Sequence, residues 1–175
     1  MPTFEFKDPI ESIEEPELLP NDWTPVEILE EPTIGPNGAL REALEEAGID
    51  FETAPEDQIE DIIGTVEKAG LTMTVRCGVI SPNPKYDGRK LPLWMSWPSG
   101  KDEGLFTQSG QKKSHWKMAQ LTALSAACGN KPKGKKVPIN EGDKFSCLIN
   151  VRNNFQSGEK ENFIDGMAGY KVYKT

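Results

Sequence analysis

The 175-residue chain is 36% hydrophobic and 27% charged, a balance that suits one folded, soluble domain and excludes a disordered chain. No run approaches the roughly 18 apolar residues of a membrane helix, and Met1-Pro2-Thr3-Phe4-Glu5 shows neither the basic start nor the apolar stretch of a secretory signal, so no membrane partner is expected. The net charge of −8 conceals a division: residues 1–63 carry two basic and 19 acidic residues, a net of −17, and residues 64–175 carry 18 basic and 9 acidic, a net of +9.

Taken in chain order, residues 1–22 are acidic and dotted with Pro2, Pro9, Pro16 and Pro20, which reads as an extended arm. Residues 23–175 read as the folded domain. Trp23 to Glu30 predicts a first strand, with Val26 and Ile28 on one side. Ile34-Gly35-Pro36-Asn37-Gly38 is a turn cluster that opens an insertion over about 35–70. Two helices are predicted there. The first is capped by Asn37 and stopped by Gly48, with Leu40, Ala43, Leu44 and Ala47 on one face. The second starts at the Thr53/Glu56 capping-box spacing, carries an Ile59, Ile62, Ile63, Val66 stripe, and stops at Gly64 or Gly70.

Leu71 to Ile80 alternates, with Leu71, Met73, Val75, Cys77 and Val79 on one face. A loop ending in Asp87-Gly88 turns the chain into a return strand, Arg89 to Trp97, whose Pro92 suggests an edge or a bulge. Ser114 can cap a helix that runs to Cys128, with Met118, Leu121, Leu124 and Cys128 buried and Gly129 beyond its end. A lysine-rich loop, 131–136, follows. Lys144 to Val151 alternates again. After the turn 153–160, a last strand is predicted over Glu161–Ile164 and Gly169–Lys174, interrupted near Gly166.

The predicted class is mainly β with α+β content. The order of elements matches a five-stranded OB-fold barrel, with a helix between strands three and four and a helical insertion between strands one and two. A five-stranded α+β sheet of another topology is the alternative. The chain also resembles a family in four stretches: Leu18-Leu19-Pro20-Asn21-Asp22-Trp23-Thr24-Pro25-Val26-Glu27-Ile28; Tyr86-Asp87-Gly88-Arg89-Lys90-Leu91; Trp116-Lys117-Met118-Ala119-Gln120-Leu121 on to Ala127-Cys128-Gly129; and Gly158 to Gly166 before Tyr170. These are similar to small bacteriophage OB-fold proteins of replication and recombination modules, regarded as single-stranded-DNA-binding-like. The resemblance implies that fold and that function, and carries no catalytic residues. The acidic N-terminal third and the long insertion depart from the family pattern.

Strand alternation turns Thr72, Thr74 and Arg76, then Lys90, Trp94 and Ser96, then Asn150 and Arg152 away from the core. Cations that follow phosphates and rings that stack on bases are the chemistry of single-strand binding. The candidate interface is therefore Arg76, Lys90, Trp94 and Arg152, with Tyr86 and Phe155 on the turns. Lys85, Arg89 and the loop lysines Lys131, Lys133, Lys135 and Lys136 extend the charge. The plainer readings place Trp94 under the insertion as core, pair Arg76 and Arg152 with acidic residues of the insertion, and make the charge division an ordinary solvated surface. The acidic third could recruit basic replication or recombination proteins, compete for the groove, or only keep the chain soluble.

No catalytic constellation emerges, and neither enzymatic activity nor a cofactor is expected. Gly129 to Lys136 fits a phosphate-loop spacing but follows a helix and has Lys136 where Ser or Thr is needed. Ser114-His115-Trp116-Lys117 fits S-x-x-K without its companion motifs. Three cysteines without a C-x-x-C pair and a single histidine argue against a disulfide framework and structural zinc, and favour a reducing, cytoplasmic setting. The rival to single-strand binding is a β-barrel interaction or assembly module without nucleic-acid activity.

Overall fold

The computed structural model describes residues 3, 5, 7–9, 11 and 17–174; part of the arm predicted over 1–22 lies outside them. Among the described residues the elements are β1 (Asp22–Ile28), β2 (Thr33–Pro36), α1 (Gly38–Ala47), α2 (Glu56–Thr65), β3 (Leu71–Val79), β4 (Lys90–Trp97), α3 (Lys113–Ala127), β5 (Lys144–Asn153) and β6 (Lys160–Val172). A short 3-10 turn, Gly100–Gly104, separates β4 from α3. The chain is mainly β: one antiparallel six-stranded sheet with three α-helices around it. No helix of the described residues is long and apolar enough to cross a membrane.

β3 is the hub of the sheet. One of its edges pairs with β4 along its length; the other takes β2 at one end (Ile34 opposite Met73) and β1 at the other (Val26 opposite Val79). β1 continues to β5, and β5 to β6. The order is thus β4-β3-β1-β5-β6, with β2 beside β1. β4 and β6 stand near one another, but no ladder joins them among the described residues, so the sheet is open along that seam.

Six strands replace the five expected. Ile34–Pro36, predicted as a turn, runs as a strand along the half of the β3 edge that β1 leaves free. Pro36 is tolerated there because it ends an outer strand. The interrupted last strand is one element with a bulge: Leu148 faces Asp165 and the next residue back, Cys147, faces Tyr170, so residues 166–169 loop out of the ladder. Gly169, at φ +80°, makes that excursion possible.

The predicted alternation sets the main core. Met73, Val75, Cys77, Val79, Leu93, Met95, Phe145, Cys147 and Ile149 turn inward, and α3 covers them with Leu121 and Leu124. α3 is rotated from its predicted stripe. Met118 is exposed, and Ser114, Lys117 and Ser125 are buried instead. The helix begins at Lys113 and Ser114 makes no cap bond. The rotation carries Lys117 to Asp102 in the 3-10 turn, with Nζ 3.0 and 2.9 Å from the two carboxylate oxygens. Asp102 is itself held by a capping box with Ser99. Burial acts to raise the Asp102 pKa, but the Lys117 ammonium and the Ser99 N–H outweigh it and hold the carboxyl below its usual range.

The insertion has a second, separate core of Leu40, Leu44, Ile59, Ile63 and Ala69. Asn37 closes its neck. Its Oδ1 accepts from Leu40 N (2.9 Å) and Gly70 N (3.1 Å), and its Nδ2 donates to Lys68 O (2.7 Å). The predicted cap is therefore present and also joins the insertion's two ends. The Thr53/Glu56 capping box is not formed, since Pro55 occupies the cap position without a side-chain bond, and α2 ends at Thr65 before reaching Gly70.

Candidate nucleic-acid interface

The outer faces of β3 and β4 pair residue by residue: Arg76 with Pro92, Thr74 with Trp94, Thr72 with Ser96. A threonine is too small to cover the indole opposite it, and Trp94 stays 58% exposed. It is not core beneath the insertion. Three depressions meet at this ring. The largest, about 740 Å³, follows the open seam and is lined by Pro92, Trp94, Arg152, Phe155 and Phe163 among others. A second lies between β4, α3 and the β6 bulge. A third runs toward β2 and the start of α1, past Thr72, Thr74 and Arg41.

The far wall of the groove is the β5–β6 turn, tied together by Asn154. Its Oδ1 accepts from Gln156 N (2.9 Å) and Ser157 N (3.1 Å), and its Nδ2 donates to Glu161 Oε2 (3.1 Å). This turn holds Phe155 94% exposed. An exposed ring on this hydrogen-bonded turn is available for stacking. Arg152 lies 4.8 Å over the Phe163 ring, with Nε 3.0 Å from Glu161 Oε1. The Asn154 amide and Arg152 hold the Glu161 carboxyl below its usual range. Phe163 lies outside the interface expected from the sequence, although its alternation with Ile164 in the last strand turns it outward. The groove also contains carboxylates: Asp165 accepts from the Asn150 amide at 3.0 Å.

The predicted residues fall into separate groups. Trp94, Arg152 and Phe155 share the groove. Arg76 lies on the same face but pairs with Glu30 at 2.8 Å. Both guanidinium groups are thus neutralised, though by Glu30 and Glu161 rather than by the insertion. Lys85, Tyr86 and Arg89 gather on the β3–β4 loop around Glu17: Lys85 Nζ is 3.5 Å and Tyr86 Oη 3.4 Å from its carboxylate, and Arg89 donates to its carbonyl while stacking 5.3 Å over Tyr86. Leu19, two residues on, is buried and bonded through both N and O to the Asn162 side chain, so the end of the predicted arm is docked on the sheet. Lys90 is exposed at the start of β4. Lys131, Lys133, Lys135 and Lys136 are exposed beyond the C-terminal end of α3, where Lys133 and Lys136 pair through their backbones. Trp94 meets the other end of that helix, at Trp116, Lys117 and Gln120, on the order of 20 Å away along its axis.

The chain matches no protein-family model and no curated protein. Among the described residues no three His, Cys, Asp or Glu side chains are placed to hold a metal ion. Burial pushes the Cys147 thiol up to about 12, burial and the nearby Asp143 do the same for Cys128, and burial raises Cys77 as well, so all three stay protonated. What the groove offers is stacking surface, one cation already paired with Glu161, and walls that include the Glu161 and Asp165 carboxylates.

Proposed function

We propose that this chain is a non-enzymatic protein that binds single-stranded DNA, largely without regard to sequence, across the outer face of β3 and β4 and along the β4–β6 seam. The observation that carries this reading is the exposed Trp94 at the centre of a continuous concavity, with the exposed Phe155 and the Arg152–Phe163 pair along it. Rings at successive positions accept bases of any identity, because every base has a π-face. The strand order β4-β3-β1-β5-β6, with α3 between β4 and β5, supports taking the sheet as an OB-type barrel with an unzipped seam and β2 as an added strand. On this reading the protein serves phage DNA replication or recombination in the host cytoplasm, and its acidic N-terminal third recruits basic partners.

A fluorescence titration with an oligonucleotide across salt concentrations tests the proposal. With about four phosphate contacts, log K should fall against log salt with a slope near −3, and Arg152→Ala should flatten that slope by about 0.7. No binding at low salt refutes it. One observation favours a second reading, an interaction or assembly module without nucleic-acid binding: Arg76 and Arg152 are already paired, and the lysine loop lies at the other end of α3. Failure of the titration would leave that reading in place.

A further inference from the structure

Beside the groove, and sharing Trp94 with it, lies a pocket of about 230 Å³ between β4, the first turns of α3 and the β6 bulge. Trp94, Trp116, Tyr170, Met95 and Met167 form its aromatic and thioether lining, and Ser96 and Gln120 add polar groups. Gly166 in the bulge makes room for the tyrosine, since a Cβ there would stand 3.1 Å from Tyr170 Oη. Three groups lining the pocket, the Ser96 hydroxyl, the Gln120 amide and the Tyr170 hydroxyl, have no hydrogen-bond partner among the described residues. Burial raises the phenol's pKa, so it remains a donor. The only cation lining the pocket, Lys117, is engaged by both oxygens of Asp102. The pocket is thus aromatic, neutral and supplied with both donors and acceptors. This combination fits a planar uncharged heterocycle and is unsuited to a phosphate.

We propose that this pocket takes one base turned out of the bound strand, stacked against the tryptophan walls and hydrogen-bonded along its edge by Gln120. The proposal rests on the reading that the groove holds a single strand, and it adds to that reading one position where base chemistry matters. Unstacked bases held between aromatic rings and read along their edges are a general means of single-strand recognition.

The test uses the full chain labelled with nitrogen-15, whose four tryptophan indole N–H signals report separately, titrated at low salt with a thymidine tetranucleotide and with an abasic backbone of equal length and charge. The expected result is that the tetranucleotide shifts the Trp94 and Trp116 indole signals and the Gly166 amide together, and that the abasic backbone leaves Trp116 and Gly166 unmoved. Gln120→Met, close in shape and on a partly exposed helix face, should keep the native spectrum and lower tetranucleotide affinity about fivefold. A shift at Trp94 without one at Trp116 and Gly166 overturns the pocket and leaves the groove standing. So does an equal Trp116 shift with the abasic backbone, or unchanged affinity in Gln120→Met. No shift anywhere removes the groove reading and the pocket with it.

Discussion

The helical insertion and the sheet that it interrupts are built on opposite terms. Residues 37–70 carry ten acidic and two basic residues around their own small core; residues 71–175 carry eight acidic and 17 basic ones. The charge division read along the chain follows this boundary only in part, since ten of the 19 acidic residues of 1–63 precede the insertion, in the arm and around β1. Yet the insertion does not neutralise the sheet. No carboxylate of the insertion makes an ion pair among the described residues, and the cations of the groove face are paired by Glu30 and Glu161 from the sheet side. Acidity that strand pairing holds beside a cation, as the Leu29 N to Arg76 O bond holds Glu30 and the Arg152–Glu161 register holds Glu161, wins over acidity that is merely abundant, because exposed pairs repay their side-chain entropy only when the partners are already close. What joins the insertion to the body is a bracket at the 3-10 turn. Gly100 N donates to Glu60 Oε2 (3.1 Å), Lys101 Nζ donates to Val66 O (3.1 Å), and Asp102 receives Lys117 from α3.

Breaking that bracket is the largest perturbation open to experiment. Asp102→Ala leaves the Lys117 ammonium buried without its partner and should cost about 3–5 kcal/mol in a denaturant melt. Because the folded pKa of Asp102 lies below its unfolded value, the stabilisation is present above about pH 4 and is lost as pH falls through the folded value. The wild type should therefore weaken in acid where the variant, already without the pair, changes less. Equal acid sensitivity in both would show that the Asp102 carboxylate does not carry this stabilisation.

Trp94→Ala separates the groove from the fold that carries it. An exposed ring contributes little to the core, so the melting temperature should hardly move, while affinity for a single strand should fall by about 1–3 kcal/mol at every salt concentration. Unchanged affinity would place binding, if any, away from the seam. The smallest effect expected is at the neck of the insertion. Asn37→Ala removes the cap of α1 and the tie to residues 68 and 70, and should cost about 1 kcal/mol. Amide exchange resolves where: faster exchange confined to 38–70 would mark the insertion as its own cooperative unit, and faster exchange across β3 as well would merge the two.

Much of this could be read from spacing alone. Alternation over 71–79, 90–97 and 144–151 identifies which side chains turn inward, because a strand's period of two leaves each residue one of two faces. The same rule turned Trp94 and Arg152 outward. Asn37 and Gly48 announced α1 through the backbone groups a helix end leaves unpaired. Even the missed Ser99–Asp102 capping box has a readable S-x-x-D spacing. Other features depended on which segments meet in space. Lys117 finds Asp102 15 positions earlier, Trp94 shares a pocket with Tyr170, and β4 stops short of pairing with β6. Periodicity is a property of a few consecutive residues; such contacts depend on register, on the bulge at 166–169 and on the rotation of α3, each chosen by packing of the whole chain. The local patterns therefore determined which residues face the solvent, and the tertiary structure decided which of them stand together.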